Sequence, residues 1–260
     1  MTSPSSHRFA GKNVLITGAG TGFGAEIAVR AAQEGADVAV HYRRSRQGAE
    51  QTVERISALG RKAFTVQADM AEYAQIRRLA DEVWAKFGRV DAAFNNVGDV
   101  AGDQMSWRDL TEESIDHILA VDLKGTLLCT HEFGARMIDQ GGGSIVNIGS
   151  TVVARGSARA PQYAAAKYGI IGLTKSYAHA FAPTVRVNVF APGFMETPMT
   201  LGREDWQKGR GDQLRKLTPM GRIPGPEELA GAALFLATED AQHITGGFLI
   251  ADGGYNMIGA

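Results

Sequence analysis

The sequence predicts an α/β fold, in which a single domain forms a doubly wound parallel sheet with helices on both faces. Short apolar runs rich in β-branched residues alternate with longer runs whose apolar residues recur at helical spacing. Repeated strand–helix–strand units need right-handed crossovers, and these give a parallel sheet covered on both sides. With 260 residues, 44% of them hydrophobic, the chain is long enough to bury one sizeable core.

Four strands and three helices are predicted in the first part of the chain. A glycine follows each of the first two helices and suits a C-terminal cap. The third helix is indicated by one apolar stripe that runs from Ile76 through Leu79 and Val83 to Phe87. The strands are placed at 13–17, 37–42, 62–66 and 90–94, and the first two helices at 22–34 and 46–59.

The second part of the chain continues the alternation. Its predicted elements are a helix at about 112–138, a strand at 144–148, a helix at about 161–181, a strand at 185–190, a helix at 226–237 and a strand at 247–250. Residues 194–218 have a polar, irregular pattern, and we expect a lid over a substrate there. Residues 1–10 are polar and predict a flexible N-terminal tail, which leaves 11–260 as the domain.

Composition excludes several classes of function. The formal net charge of −1 gives no field that would attract nucleic acid or an anionic membrane. No apolar run is long enough to span a bilayer, and the N-terminus does not resemble a signal peptide, so we expect a cytoplasmic protein. The single cysteine, Cys129, lies in an apolar helical run and is interpreted as a core residue. No His-Glu-x-x-His or Cys/His cluster is present, so no metal site is expected.

A glycine-rich turn, Thr17–Gly24, joins the first strand to the first helix. Glycines let a backbone turn tightly and approach a pyrophosphate, and the following helix N-terminus offers unpaired N–H groups to it. Read from Gly18, the plain dinucleotide fingerprint fails at Phe23, whereas Thr-Gly-x-x-x-Gly-x-Gly matches. The strand before and the helix after favour a Rossmann-like dinucleotide site over a glycine-rich turn without a ligand.

The residues at the end of the second strand are expected to determine whether the protein binds NAD(H) or NADP(H). An acidic residue there would bind a ribose 2′-hydroxyl, but this chain has Arg43, Arg44 and Ser45. Guanidinium groups bind a phosphate in bidentate fashion. We therefore predict NADP(H), with NAD(H) as the alternative if the arginines form only a solvated loop.

Three polar residues predict proton transfer. Ser150 follows a strand, Tyr163 lies thirteen residues later, and Lys167 lies four residues after Tyr163. Residues four apart share a helix face, and an ammonium lowers the pKa of a nearby phenol from about 10. Tyr163 can then act as general acid and base while Ser150 binds the substrate oxygen. Tyr168 has no lysine four residues later and is interpreted as a packing residue.

From about residue 11 to residue 255, this pattern resembles the short-chain dehydrogenase/reductase family. The resemblance implies that Asp69 binds the adenine amino group, with a helix cap as the alternative, and that Thr197 holds the nicotinamide carboxamide. It also implies that Lys167 binds the nicotinamide ribose. The predicted cofactor contacts are Gly18, Thr21, Gly22, Phe23, Gly24, Arg43, Arg44, Ser45, Asp69, Met70, Asn96, Val97, Gly98, Tyr163, Lys167, Pro192, Gly193, Phe194 and Thr197.

Two positions depart from the family pattern. Relatives place an asparagine on the long central helix, where it holds a water that links the lysine to solvent, and this chain has Asp122. We count Asp122 among the catalytic residues, with the hypothesis that its charge raises the pKa of Lys167 and Tyr163. NADP-using relatives often carry a basic residue within the glycine turn, where this chain has Thr21.

The predicted reaction is hydride transfer between NADP(H) and a small-molecule ketone or secondary alcohol. The pattern is closest to 3-oxoacyl-carrier-protein reductases, which makes a 3-oxoacyl thioester the alternative substrate. Those enzymes place basic residues where this chain has Gly141–Gly143 and Pro183–Thr184, so a free ketone, a sugar or a pteridine-like substrate stays open. Arg155 and Arg159 are interpreted as solvated surface, with binding of an anionic substrate as the alternative.

The sequence favours two further classes of function less. A serine hydrolase would need Gly-x-Ser-x-Gly, which does not occur in the chain. A non-catalytic NADP(H)-binding sensor is the other alternative, although such proteins typically lose the tyrosine or the lysine. The family resemblance also implies a homotetramer that pairs long helices and last strands.

Overall fold

The computed structural model describes residues 7–99 and 106–257. Within them, seven parallel strands form one sheet in the order β3-β2-β1-β4-β5-β6-β7. The strands are β1 Asn13–Ile16, β2 Asp37–Tyr42, β3 Ala63–Gln67, β4 Ala92–Asn95, β5 Gly143–Ile148, β6 Val185–Pro192 and β7 Phe248–Ala251. The predicted α/β class and doubly wound parallel sheet are confirmed.

Helices cover both faces of the sheet. They are α1 Gly22–Gln33, α2 Arg46–Ser57, α3 Tyr73–Phe87, α4 Glu112–Ile118, α5 Gly125–Asp139, α6 Val152–Arg155, α7 Pro161–Phe181, α8 Pro198–Leu201, α9 Gly211–Leu217 and α10 Pro226–Phe235. On one face α1 packs against α2 and α10, and on the other α5 packs against α3 and α7. Side chains alternate along β1 accordingly, since Val14 and Ile16 join one buried cluster and Leu15 the other.

The strand order reverses beside β1. The chain runs from β1 outward to β3 and then returns to place β4 on the other side of β1. In such sheets a crevice opens beyond the carboxyl ends of the two strands that flank the reversal. The glycine turn after β1 and the Asn96–Gly98 segment after β4 therefore lie together at this crevice.

The long central helix is not continuous as predicted. A π-helical turn, Leu119–Lys124, separates α4 from α5 and contains Asp122. The Thr126 hydroxyl donates to the carbonyl of Asp122 at 2.7 Å. Single π turns inside α-helices occur frequently at functional sites, and apolar periodicity does not show them.

The segment 194–218 is more helical than predicted. It contains α8, a helical stretch at Trp206–Arg210 that is kinked at Lys208 and Gly209, and α9. Pro198 stands at the first position of α8, and the Thr197 hydroxyl accepts from the N–H of Thr200 at 3.1 Å, which caps the helix. The expectation of an irregular segment is wrong here because short capped helices give little periodic signal.

The packed domain begins before the predicted boundary at residue 11. Phe9 is 2% exposed, and its N–H donates to the carbonyl of Glu34 at 2.9 Å. Arg8 forms an ion pair with Glu34 at 2.6 Å. Residues 8–10 therefore belong to the domain rather than to a tail, and residues 1–6 lie outside the described part.

Two further observations concern the interior. Cys129 is fully buried, and burial raises the pKa of its thiol, which confirms it as a core residue. In the described residues, no helix combines the length and apolarity needed to cross a membrane, and no group of His, Cys, Asp or Glu side chains could hold a metal ion.

Candidate active site

A cavity of about 990 Å³ opens at the carboxyl edge of the sheet. Residues that follow β1, β2, β3, β4, β5 and β6 all contribute to its wall. Every predicted cofactor residue lines this cavity except Gly24. Gly24 lies behind the wall, where a Cβ would collide with the carbonyl of Gly18 and the amide of Asn96. Its role is therefore close packing within the turn rather than contact with the cavity.

The glycine turn has the conformation that its sequence requires. Gly18 and Gly22 have φ values of +65° and +58°, which side chains with a Cβ rarely adopt. Helix α1 begins at Gly22, and no side chain caps its N-terminus, since Thr21 makes no capping bond. Gly22 and Phe23 line the cavity, so the first N–H groups of α1 lie at its wall.

His41, a residue that sequence analysis missed, fixes this turn. It is fully buried at the end of β2, and its Nδ1 accepts from the N–H of Gly18 at 3.0 Å. Its Nε2 lies 3.0 Å from the carbonyl of Ala68, so this nitrogen carries the proton. Burial lowers the pKa of His41 to about 4, which keeps the ring neutral at neutral pH. The only sequence signal was a polar side chain inside an apolar strand.

The loops after β1 and β4 are bonded to each other. The hydroxyl of Thr17 accepts from the N–H groups of Asn96 at 2.9 Å and Val97 at 3.2 Å. The amide of Asn96 donates in return to the carbonyls of Thr17 at 3.1 Å and Gly18 at 3.3 Å. The floor of the crevice is therefore held by side-chain bonds as well as by the sheet.

The far end of the cavity, beyond β2 and β3, carries positive charge. Arg44 and Ser45 are exposed, and in the described residues Arg44 makes no ion pair. Arg43 lies 3.7 Å from the carboxylate of Asp69. Asp69 also accepts from the N–H of Ala71 at 3.0 Å, but α3 begins only after Glu72, so Asp69 is not the helix cap.

Ser150, Tyr163 and Lys167 all line the middle of the cavity. The Ser150 hydroxyl oxygen accepts from the N–H of Val152 at 3.2 Å, which leaves its proton available for another acceptor. Tyr163 lies in the first turn of α7, and the ammonium of Lys167 is 5.5 Å from the centre of its ring. Lys167 also donates to the carbonyl of Ile148 at 3.3 Å. The structure thus brings the three residues together.

Asp122 does not line the cavity but lies directly behind Lys167. It is fully buried, and its Oδ2 is 3.3 Å from the ammonium of Lys167. Its Oδ1 accepts from the N–H of Asp99 at 2.8 Å. Burial lowers the pKa of Lys167, but the charges of Asp122 and Tyr163 and the bond to Asp122 outweigh burial and raise the pKa above its usual range. Lys167 is therefore protonated at neutral pH.

Gly98 packs tightly against this ion pair. A Cβ at Gly98 would come within 3.1 Å of the Asp122 carboxylate and 3.2 Å of the Lys167 ammonium. Glycine at this position therefore lets the chain pass between the cavity and the buried pair.

Pro192, Gly193, Phe194 and Thr197 form the wall beyond β6. A Cβ at Gly193 would meet Asp252 at 2.7 Å, so the backbone approaches the β7 end closely. The Thr197 hydroxyl caps α8 and lies 2.9 Å from the hydroxyl of Thr200. These contacts fix the wall on which the nicotinamide end of a dinucleotide would lie.

Four arginines line the remaining end of the cavity. Arg155 and Arg159, interpreted from the sequence as solvated surface, belong to this wall together with Arg203 and Arg210. Arg155 is exposed and the Arg159 side chain is 40% exposed, so both also keep the contact with solvent that the sequence interpretation expects. The pairing was not visible in the sequence, since Arg159 and its partner Asp205 are 46 residues apart.

Tyr168 does not contribute to the cavity. It lies on α7 one residue after Lys167, on the outer side of the helix, and is 52% exposed. It is therefore not a packing residue within this chain, contrary to the sequence interpretation.

Comparison with known proteins agrees with this architecture. A family model described as enoyl-(acyl carrier protein) reductase matches residues 18–256. The chain is 36% identical to a 3-oxoacyl-[acyl-carrier-protein] reductase of Staphylococcus epidermidis over 95% of its length and 99% of that protein. It is also 36% identical to a D-threitol dehydrogenase of Mycolicibacterium smegmatis over 96% of its length and 95% of that protein.

A solved structure gives the same result. A short-chain dehydrogenase from Burkholderia cenocepacia in complex with NADP is similar at a TM-score of 0.87 and 33% sequence identity. The similarity covers 96% of this chain and 99% of that one.

Proposed function

This chain belongs to the short-chain dehydrogenase/reductase family, and on that premise we propose that it transfers a hydride between NADP(H) and a ketone or secondary alcohol. The observation that carries the proposal is the shared cavity. Ser150, Tyr163 and Lys167 lie on its wall between the glycine turn and the four arginines. The relatives, a reductase and a dehydrogenase, support the oxidoreductase class.

The cavity wall fits a dinucleotide that carries a 2′-phosphate. The uncapped N-terminus of α1 offers N–H groups to a pyrophosphate, and the glycine turn leaves room for it. The exposed guanidinium of Arg44 and the hydroxyl of Ser45 suit a phosphate on the adenosine ribose. Thr21 adds no positive charge, so the preference for NADP(H) over NAD(H) depends on Arg43 and Arg44. The relative from Burkholderia cenocepacia that binds NADP agrees with this assignment.

The chemistry follows from three side chains. NADP(H), when bound, would supply a hydride to the carbonyl carbon during reduction or accept one from the alcohol carbon during oxidation. Ser150 donates its free proton to the substrate oxygen and stabilises the charge that develops there. Tyr163 gives its proton to the same oxygen during reduction and takes it back during oxidation.

Lys167 has two tasks in this proposal. Its charge favours the phenolate form of Tyr163, and its ammonium can also bind the nicotinamide ribose. Asp122 holds that ammonium in place from behind at 3.3 Å. Because Asp122 makes a direct ion pair with Lys167, it is a positioning residue that replaces the usual asparagine.

The relatives named as 3-oxoacyl-[acyl-carrier-protein] reductases support a 3-oxoacyl thioester as the second candidate substrate. A 3-oxoacyl thioester presents the same ketone to Ser150 and Tyr163. Gly141–Gly143 and Pro183–Thr184 offer no cations at the surfaces where an acidic carrier would dock, so a small free ketone is the preferred substrate.

We further propose a cytoplasmic homotetramer. Large apolar side chains are exposed on α5, α7 and β7, where Leu127 is 37%, Tyr168 52% and Ile250 39% exposed. Such a surface suits pairing of long helices and last strands between copies of the chain.

The test of the proposed function is oxidation of NADPH with a panel of ketones. The Tyr163→Phe substitution removes the proton donor, and kcat should fall by about 100-fold or more. Tyr168→Phe is the matched control, because this exposed tyrosine of the same helix lies outside the cavity. Tight NADPH binding with no turnover of any ketone would favour the sensor alternative instead.

A further inference from the structure

His41 connects the loops on either side of β2 through both nitrogens of its ring. The ring is fully buried, and Nδ1 accepts from the N–H of Gly18 at 3.0 Å. Nε2 donates to the carbonyl of Ala68 at 3.0 Å. Gly18 belongs to the glycine turn after β1, and Ala68 directly follows β3. One imidazole therefore joins the turn expected to bind a pyrophosphate to the neighbouring loop.

The first half of the glycine turn is held by His41 and its neighbours. The carbonyl of His41 accepts from the N–H of Ala19 at 2.9 Å, so one residue binds the successive N–H groups of Gly18 and Ala19. The hydroxyl of Thr52 donates to the carbonyl of Ala19 at 3.0 Å. In the described residues, His41 is the only partner of the Gly18 N–H. These two N–H groups are therefore used within the protein.

The second half of the turn faces the cavity. Thr21, Gly22 and Phe23 line the cavity, and no side chain caps the N-terminus of α1. A pyrophosphate there would accept from these later N–H groups, and such bonds depend on distance and direction. The direction of the second half follows from the backbone of the first half, which is bonded to His41.

The bond to His41 supplies an order that glycine itself does not. Glycine adopts positive and negative φ about equally readily, so sterics alone do not select the φ of +65° at Gly18. A hydrogen bond from its N–H to a fixed, buried ring favours this conformation. A turn that is ordered before the ligand arrives loses less entropy on binding.

Burial keeps the imidazole uncharged, which the bond to Gly18 requires. It lowers the pKa of His41 to about 4, although the bond to the Ala68 carbonyl and the charge of Asp69 act in the opposite direction. Arg43 lies 3.7 Å from Asp69 and offsets part of that charge. A neutral ring with its proton on Nε2 leaves Nδ1 free to accept.

We propose that His41 is a positioning residue for the dinucleotide, whose Nδ1 holds the glycine turn in the conformation that binds the pyrophosphate. The inference rests on the proposed function, because it concerns the cofactor of the same cavity. It assigns the effect on binding to the bond with Gly18 and not to the bond with Ala68. The loop after β3 has other bonds, since the N–H of Asp69 donates to Oε1 of Gln75 at 2.9 Å.

Two substitutions separate the two bonds. In His41→Asn, the side-chain oxygen lies about where Nδ1 lies and can still accept from Gly18, but the side chain is too short to reach Ala68. In His41→Gln, the side-chain amide reaches the position of Nε2 and can donate to Ala68, but it places no acceptor at Gly18. Each variant therefore keeps one buried bond and loses the other.

The dissociation constant of NADPH, measured by fluorescence titration, is the readout. It should rise about tenfold in His41→Gln and less than about threefold in His41→Asn, since one neutral hydrogen bond is worth up to about tenfold. KM for NADPH should follow it, with kcat changed less than about twofold, because Ser150 and Tyr163 are untouched. Equal dissociation constants in the two variants, or the larger rise in His41→Asn, would overturn the inference.

Stability separates positioning from packing. Both variants lose one buried hydrogen bond, so Tm should fall to a similar extent in both, although only His41→Gln loses affinity. His243→Gln is the matched control, because this histidine is exposed and lies outside the cavity. If His41→Gln does not fold, His41→Asn still tests the inference. A tenfold loss of NADPH affinity in folded His41→Asn contradicts it, and unchanged affinity supports it.

The binding measurement requires no turnover and so distinguishes this inference from the proposed function. If His41→Gln weakens NADPH binding about tenfold while no ketone is reduced, the proposed function fails alone. If the wild type reduces a ketone while both variants bind NADPH equally well, the positioning role of His41 fails and the proposed function stands.

Discussion

Asp122 and Asp205 lie next to the cavity, and both form ion pairs. They differ in burial and in the number of cations that they bind. Asp122 is fully buried and pairs with one lysine, so that one positive and one negative charge meet. Asp205 is 33% exposed on its side chain and meets three guanidinium groups. The first pair is enclosed and joins one charge of each sign, whereas the second carboxylate binds three guanidinium groups at the rim of the cavity.

The difference follows from burial. An uncompensated charge in the interior is strongly destabilising, so Lys167 and Asp122 each stabilise the charge of the other. At the rim, water screens the charges, and additional arginines can gather around one carboxylate at little cost. The buried pair therefore fixes the position of Lys167, while the cluster at the rim joins the segment before α7 to the segment 194–218.

The largest effect should come from Lys167→Met. This substitution leaves Asp122 buried without its cation, and we expect a loss of about 3–5 kcal/mol in the free energy of unfolding. kcat should also fall by about 100-fold or more, because Tyr163 loses its charged neighbour. Urea denaturation followed by circular dichroism and the NADPH assay measure the two effects. A stability loss below about 1 kcal/mol, as for an exposed pair, would contradict the enclosed pair.

The pH dependence of this loss has a defined sign. The pKa of Lys167 is raised in the folded state, so its contribution is complete below the unfolded value of about 10.4 and is lost as the pH rises through the folded value. The stability difference between wild type and Lys167→Met should therefore stay constant from neutral pH to about pH 10 and shrink above it. A difference that already shrinks well below pH 10 as the pH rises would contradict the raised pKa of Lys167.

A smaller effect is expected from Asp122→Asn, which keeps the shape of the side chain and removes its charge. Burial then dominates at Lys167 and lowers its pKa, so the alkaline limb of the pH–rate profile should move to lower pH. At neutral pH the rate should change by less than about tenfold, well short of the loss in Lys167→Met. Asp116→Asn, at an exposed position of α4, is the control. An unchanged profile would show that Asp122 has no part in the proton relay.

The smallest effect should come from Asp205→Asn. Partly exposed ion pairs contribute about 0–1 kcal/mol each, and Asp205 makes three of them, so the free energy of unfolding should fall by about 1–2 kcal/mol in total. The pKa of Asp205 is lowered, so its contribution is present above the unfolded value of about 3.9 and is lost as the pH falls through the folded value. Urea denaturation at neutral pH, where the whole contribution of Asp205 is present, measures the size of the loss. A loss as large as that of Lys167→Met would remove the contrast between the two aspartates.

The parts of the molecule that local patterns determine were predictable. The alternation of strands and helices, the glycine turn and the Ser150, Tyr163 and Lys167 spacing all depend on residues within about one helix or turn of each other. Family resemblance added Asp122, at the position where relatives have asparagine. The resemblance also gave the hypothesis that the charge of Asp122 acts on Lys167, and the structure adds the direct ion pair at 3.3 Å between the π-helical turn and α7.

The rest depends on contacts between distant segments. Nothing in the apolar run of β2 shows that His41 will accept a hydrogen bond from the glycine turn. Arg159 meets Asp205 only because the loop before α7 and the segment 194–218, 46 residues apart, pack against each other. Periodicity reports which face of an element is buried, but it carries no information on which polar side chains then meet.

The position of Asp122 depends on the π-helical turn at Leu119–Lys124, and therefore on the number of residues in the central helix. A turn with i→i+5 bonds holds one residue more than an α-helical turn, so deleting one residue here would restore an ordinary helix and change which side chain faces Lys167. Asp122 would then leave its place behind Lys167, with no substitution at either position. Insertions and deletions that surface loops of this chain would accept are therefore excluded from these six residues.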